Sequence, residues 1–293
     1  MNAQELTAAL AGRWHGGYGT ACCPAHEDRN PSLQISDGEA AILLKCHAGC
    51  ETRDVINALK VRGAWPDHDP SRPPYKRPDK PLQRRSDDGA IKRSEAARRL
   101  WNSAVAPQKT PVELYRDSRG LSVELPYTIR YLASAKHADT GLYLPCMLAA
   151  VQRWPGQEVV AVHRTFLKTD GSGKAPVSSP KKALGPISGA AVRLAAATDT
   201  LGIAEGIETA LSAMQLYDDP VWAACGSNLA GVVVPDTVKR VVIYGDNGEA
   251  GERAADKAAA TFYGQGHKVT IVFPAGNHGD FNDLLQAQQR AAA

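Results

Sequence analysis

LGIAEGIETALS, residues 201–212, is the stretch that decides the fold. A short apolar run ends on Glu205, turns through Gly206, and continues in a helical pattern. That order predicts a buried strand delivering Glu205 to the carboxyl edge of a parallel sheet, where open α/β sheets bind their ligands. The rhythm repeats downstream. Strands are predicted over 201–204, 221–224, 240–244 and 268–273, and helices over 206–216 and 249–263. Such alternation implies an α/β layer with a parallel sheet. Asp246 follows its strand as Glu205 follows its own, and Asp280 and Asp283 follow the last strand.

Carboxylates gathered at one edge repel. Two of them 4 Å apart cost roughly 4 kcal/mol at an effective dielectric of 20. A hard, oxygen-binding cation such as Mg²⁺ or Mn²⁺ removes that cost. Either residue alone reads as a helix cap or an ordinary turn. Together, at matching strand ends, Glu205 and Asp246 read as catalytic, with Glu205, Asp246, Asp280 and Asp283 as ligands of a metal-dependent phosphoryl-transfer site.

Upstream the charge reverses. Residues 94–196 carry fourteen Lys/Arg against seven Asp/Glu, whereas 197–285 carry five against twelve. A basic block suits phosphate backbones, and an acidic one suits divalent cations. Strands are predicted over 142–147 and 159–166, with a hairpin turn at 170–173. Arg164, Lys168, Lys174, Lys181 and Lys182 form a basic strand-turn-strand region suited to nucleotide or template. A helix capped by Ser94 carries Ala97, Leu100, Trp101 and Val105 on one face and stops at Pro107. Residues 66–93, rich in proline and charge, read as a flexible linker.

The N-terminal region holds Cys23-Pro24-Ala25-His26 and Cys46-His47-Ala48-Gly49-Cys50. Two knuckles around short strands at Leu33–Ile35 and 42–44 predict a zinc ribbon with Cys23, His26, Cys46 and Cys50 as ligands of one structural zinc. Cys22 and His47 are alternative ligands. Cys146 and Cys225 stand alone in apolar surroundings and read as core.

Six cysteines in a chain of 293 residues argue against a disulfide framework in a reducing compartment. No apolar run approaches the roughly 18 residues of a membrane span, and the N-terminus lacks the pattern of a signal peptide. Cytoplasmic location is expected. Gly171-Ser172-Gly173-Lys174 lacks the upstream glycine of a phosphate-binding Walker loop, so no ATPase motor is expected.

The Cys-Pro-x-His knuckle, Asn30-Pro31-Ser32-Leu33 and Cys46-His47-Ala48-Gly49-Cys50 resemble the zinc-binding domain of bacterial DnaG-type primases and phage primase-helicases. Strand-Glu205-Gly206, strand-Asp246 with Glu249-Ala250-Gly251, and Asp280-Phe281-Asn282-Asp283 resemble the Toprim fold of primases, topoisomerases and some nucleases. The middle block, with 111–121, 162–167 and 179–182, is similar to phage-type primases. The resemblance implies a glutamate in acid/base chemistry and an Asp-x-Asp metal pair, but Gly248 stands where the second Asp belongs. It also implies a zinc ribbon that helps to recognise template DNA.

The expected fold is therefore a multidomain α+β and α/β chain. It comprises a zinc ribbon at 1–65, a linker at 66–93, a basic α+β core segment at 94–196 and a Toprim domain at 197–293. The expected activity is that of a phage or mobile-element DNA primase, joining NTPs on a single-stranded DNA template and working with a separate helicase. The rivals are a Toprim nuclease or topoisomerase and a non-catalytic DNA-binding accessory protein. A topoisomerase needs a nucleophilic tyrosine in a large further domain that this sequence does not display.

Overall fold

The structure is a computed structural model that describes residues 2–28, 30–38, 41–65 and 88–292. Two compact units form, 1–83 and 84–293. Residues 66–87 of the expected linker lie outside the described residues.

The first unit contains α1 (Ala3–Ala9), β1 (Arg13–Trp14), β2 (Gly19–Ala21), β3 (Leu33–Asp37), β4 (Ile42–Cys46) and α2 (Thr52–Val61). The four strands form an antiparallel meander in sequence order. Its driving force is alternation: β3 buries Leu33 and Ile35, and β4 buries Leu44 and Cys46 while Leu43 and Lys45 face out. Leu6 of α1 and Val55 and Leu59 of α2 close over that face. Asn2 caps α1 in a capping box with Glu5, and the Ala3 N–H donates to Asp37 Oδ1 at 2.8 Å, pinning the helix to β3. The core is small, as expected for a module that leans on a metal.

The second unit begins with α3 (Asp88–Ser103) and α4 (Pro111–Ser118). Then come β5 (Ile129–Lys136), β6 (Tyr143–Gln152), β7 (Val159–Phe166), β8 (Lys181–Leu184) and β9 (Ala191–Arg193). The chain ends in an alternating run: β10 (Thr200–Ala204), α5 (Ile207–Tyr217), β11 (Val221–Ala223), β12 (Arg240–Tyr244), α6 (Glu249–Gly264), β13 (Lys268–Val272) and α7 (Phe281–Ala292). Among the described residues nine strands build one sheet, in the order β13-β12-β10-β11-β9-β6-β7-β8, with β5 on β6. The strands β11, β10, β12 and β13 are parallel, whereas β9 pairs antiparallel with both β11 and β6. The basic and acidic blocks thus share one sheet and one compact unit.

Every residue of β10 is buried, as a parallel strand covered on both faces requires. At Gly202 a side chain would strike the Tyr244 ring and Val221, so glycine lets β10 nest between its neighbours. On one face α5 and α7 pack with α4; on the other α6 packs with Phe262 fully buried.

Two expectations upstream are corrected. The helix after the linker starts at Asp88, so 88–93 are helical and Ser94 sits inside α3 instead of capping it. Ala97 and Trp101 are buried, but Val105 lies beyond the helix, 58% exposed, and exchanges both backbone bonds with Tyr131 at 2.8 Å. Apolar periodicity runs on through Val105, yet the approach of Pro107 and the pull of an edge pairing end the helix first.

Candidate functional site

In the first unit, Cys23 follows β2, Cys46 ends β4, and His26 and Cys50 sit in the turns beyond them. The ligand atoms of Cys23, His26, Cys46 and Cys50 all lie within 4.8 Å of one another. Cys22 is exposed, and exposed His47 instead meets Gln34 Oε1 through Nε2 at 3.1 Å. Asp28 organises the cluster from behind: it accepts the Cys23 N–H at 2.7 Å and the Ser32 hydroxyl at 2.5 Å, and lies 3.8 Å from His26 Nε2. The Ser32 hydroxyl, followed by the Cys23 N–H, holds the Asp28 carboxyl down to about 2. Ser32 Oγ in turn lies 3.7 Å from Cys46 Sγ. Burial works against a Cys46 thiolate, but the Cys50 N–H and the Ser32 hydroxyl bring its pKa down to about 7. Burial raises Cys23 to about 12. One ready thiolate beside two thiols, an imidazole and a supporting carboxylate fits a tetrahedral zinc, which would deprotonate the others on binding.

In the second unit, Glu205 follows β10, Asp246 follows β12 and Asp280 precedes α7, all at the carboxyl edge of the parallel strands. The Cys225 N–H donates to Glu205 O at 2.9 Å, tying the Glu205 turn to the end of β11. Asn247 fixes the third carboxylate's loop. Its side-chain amide donates to Pro274 O and His278 O at 2.9 and 2.7 Å, and its N–H donates to Gly279 O at 2.8 Å. Burial, then the charges of Glu205 and Asp280, push Asp246 up to about 6, while Lys181 and the Thr209 hydroxyl, 3.5 Å away, oppose the rise.

Asp283 is exposed and donates its N–H to Asp280 Oδ1 at 2.9 Å; its own carboxylate lies near Gly279. No contact joins it to Asp246. Among the described residues, Cys3His is the one group of His, Cys, Asp and Glu close enough to enclose an ion. The acidic edge is open. An open set of this kind suits Mg²⁺, which keeps several waters and takes one or two carboxylates plus substrate phosphates.

Gly248 has φ 109° and ψ 157°, at the start of α6, and nothing lies within 4 Å of where its Cβ would stand. There is room for a carboxylate, but the backbone there is one that essentially only glycine adopts. Gly251 lets α6 pack on the Asp246 backbone, which a side chain would strike. The loop is therefore built around glycine, and an Asp at position 248 would strain it.

A cavity of about 260 Å³ beside the acidic edge is lined by Glu205, Gly206, Ile207, Cys225, Gly226, His163, Lys181, Lys182 and Ala183. Cys225 packs partly buried against the core, as expected, and also forms part of this cavity's wall. Cys146 is fully buried, as expected. The five basic candidates divide. Lys181 reaches the cavity from β8. Lys182 also lines it but pairs with Asp139 at 2.6 Å. Lys174 lies 3.3 Å from Glu208. The Arg164 guanidinium donates to Ala183 O at 3.3 Å and stacks 5.7 Å from Phe166. Lys168 is exposed near the 170–173 turn.

Sequence reasoning missed two residues. His163 lines the cavity, and its buried Nδ1 has no hydrogen-bond partner among the described residues; burial, aided by Lys181, Arg164 and Lys174 against Glu208, lowers its pKa to about 4. Glu208 is buried beneath the site, accepting from Tyr115 Oη at 2.7 Å and Lys181 Nζ at 2.9 Å. A charged residue inside the otherwise apolar start of α5 was the available signal for it.

Fold and site together define a mixed α+β protein with a Cys3His centre and an acidic edge on a parallel sheet. Residues 200–291 match the Toprim domain model, and residues 91–194 match a domain of unknown function, DUF7146. The C-terminal segment is a Toprim domain. Solved structures similar to this chain include the DnaG catalytic core, at 14% identity over 69% of this chain and 76% of that one, with TM-score 0.48. The Aquifex aeolicus primase, comprising its zinc-binding and RNA polymerase domains, is 14% identical over 98% and 82%, TM-score 0.44. The primase fragment of the bacteriophage T7 primase-helicase is 18% identical over 61% and 67%, TM-score 0.38. No curated protein matches the chain. No helix among the described residues is long and apolar enough to cross a membrane.

Proposed function

We propose that the chain is a DNA primase of a phage or mobile element, making short RNA primers on single-stranded DNA in the cytoplasm. The observation that carries this reading is the convergence of Glu205, Asp246 and Asp280 at one sheet edge of a Toprim domain, beside a lysine-lined cavity. The zinc ribbon at 1–65 would engage the template, and 94–196 with 197–293 would form the catalytic core. A separate replicative helicase is the expected partner.

The reaction is attack of a primer-end 3′-hydroxyl oxygen on the α-phosphorus of an NTP, with pyrophosphate leaving and a proton lost from the hydroxyl. Divalent cations supply charge neutralisation on the phosphates. Asp246 and Asp280 offer oxygens to such a cation, with exposed Asp283 as a further candidate. Glu205 accepts or relays the hydroxyl proton. Lys181 and Lys182 offer ammonium groups to phosphate oxygens at the cavity, and exposed Lys168 extends the basic surface, with Arg164 and Lys174 held inward behind it.

The test is primer synthesis from NTPs on single-stranded DNA with Mg²⁺ or Mn²⁺. Labelled oligoribonucleotide products are expected. DNA cleavage without synthesis would make the chain a nuclease. The open position at Gly248 favours one rival, a non-catalytic accessory protein, and DNA binding without any product under either metal would establish it.

A further inference from the structure

The buried carboxylate of Glu208 takes no part in the chemistry above. It sits one turn beyond Glu205, and both of its oxygens are occupied. Oε1 accepts from Tyr115 Oη at 2.7 Å and lies 3.3 Å from Lys174 Nζ; Oε2 accepts from Lys181 Nζ at 2.9 Å. One carboxylate therefore holds two ammonium groups that repel each other. Burial opposes its charge, but the two lysines and the phenol outweigh burial and keep it ionised.

The two lysines differ in their other neighbours. Lys181 is drawn by Asp280 and in turn acts on Asp246, whereas Lys174 is opposed by Lys181 and Arg119. A lysine on a flexible four-carbon stem moves to the nearest uncompensated carboxylate when its partner is removed. Lys181 shares a cavity wall with Glu205, and its Nζ lies 4.0 Å from where a Cβ of Gly206 would stand, so for Lys181 that carboxylate belongs to the acidic edge.

We infer that Glu208 is a positioning residue that holds the Lys181 ammonium away from Asp246 and Asp280, and so keeps the acidic edge open to a divalent cation. Tyr115 fixes the other carboxylate oxygen and prevents rotation. The lysine stays at the cavity wall, within reach of an anionic ligand, without acting as an internal substitute for the metal. The inference rests on the reading of that edge as a cation site.

Mn²⁺ binding to the zinc-loaded full chain, followed by electron paramagnetic resonance, tests it without recourse to activity. Asp246→Asn identifies the signal belonging to the acidic edge. Two double variants are then compared, E208Q/K174M and E208Q/K181M. They have the same net charge and each removes one buried ammonium with the carboxylate. Releasing Lys181 in the first should raise the Mn²⁺ dissociation constant about tenfold. The second should bind as tightly as wild type or more so. Equal constants in the two would overturn the inference. Tyr115→Phe, which removes one anchor without changing charge, should weaken Mn²⁺ about threefold; an unchanged constant would count against the inference even if the doubles fail to fold. If wild type shows no Mn²⁺ signal sensitive to Asp246→Asn, the cation reading itself falls.

Discussion

The zinc head and the acidic sheet edge both gather potential ligands, and they do so in opposite ways. At the head, four soft or borderline donors close within 4.8 Å, with Asp28 and Ser32 bracing them from behind. At the edge, carboxylates arrive from separate strand ends, and burial, joined by the charges of Glu205 and Asp280, raises Asp246. A closed set has no position left for substrate and serves structure; an open set leaves room for water and phosphate and serves chemistry. The difference follows from topology. Knuckles on one small meander can converge on a point, whereas successive parallel strands deliver their ends side by side.

The largest expected effect lies at the head. Structural zinc contributes about 10–16 kcal/mol in apparent terms to such modules. Cys46→Ser should therefore abolish zinc binding and unfold 1–65, while 84–293 keeps its melting transition. Elemental analysis and limited proteolysis check this, and Cys22→Ser and His47→Ala should both retain one zinc. A protein that stays folded at the head without metal would erase the contrast.

At the edge, the expected loss is in rate and not in fold. Glu205→Gln and Asp246→Asn should each reduce primer synthesis by about a hundredfold or more. Binding of single-stranded DNA should change by less than about twofold, because neither residue is placed on a phosphate path. A parallel fall in DNA affinity would make these residues part of the template surface.

The sign of the pH effect sharpens the comparison further. Asp246 rises from 3.8 to about 6 on folding without metal, so its ionised form opposes folding. That cost is absent below about pH 4, grows between pH 4 and 6, and is complete above 6. Discounted for solvent screening, it is about 1–2 kcal/mol. Mg²⁺ should then raise the Tm of the second unit by about 2–8 °C at pH 7.5 and little at pH 4.5, as read by calorimetry. The Asp246→Asn variant should lose that pH dependence.

Gly248→Ala and Gly248→Asp should both destabilise the fold by about 1–3 kcal/mol, since the strain lies in the backbone and not in crowding. Denaturant titration measures it. The smallest effect is expected from Lys182→Ala, which should flatten the salt dependence of single-stranded DNA binding by about 0.7 in log–log slope if Lys182 leaves Asp139 for a phosphate. No change would mean that the pair persists in the complex.

Much of this was legible in the sequence because the signals are local. The strand over 240–244 is legible to the residue, since a buried parallel strand is written as an unbroken apolar run. The Cys3His group is legible from spacing alone, although Cys22 and His47 are set apart from it only by which side chains converge. What was not legible depends on distant pairings. The basic block reads as a DNA surface, yet Lys174 and Lys181 turn inward to Glu208, more than twenty residues away, and Lys182 to Asp139. Helix α3 began six residues earlier than its expected cap because Ser94 is only a weak stop when the flanking residues continue the helix. His163 went unremarked as a site residue because an imidazole in an apolar strand carries no signal of the cavity beside it.

The antiparallel join of β9 to β11 has a consequence for how the molecule can be divided. The interval at 195–199 separates the two family matches, but it is not a seam in the fold. A fragment beginning at residue 200 would expose the flank of β11, a row of unpaired backbone donors and acceptors beside buried apolar side chains. Such a flank recruits whatever extended chain is at hand, including another copy of the fragment. Residues 200–291 expressed alone should therefore aggregate, while a fragment starting ahead of α3 should remain dispersed. Two family matches meet here inside a single sheet.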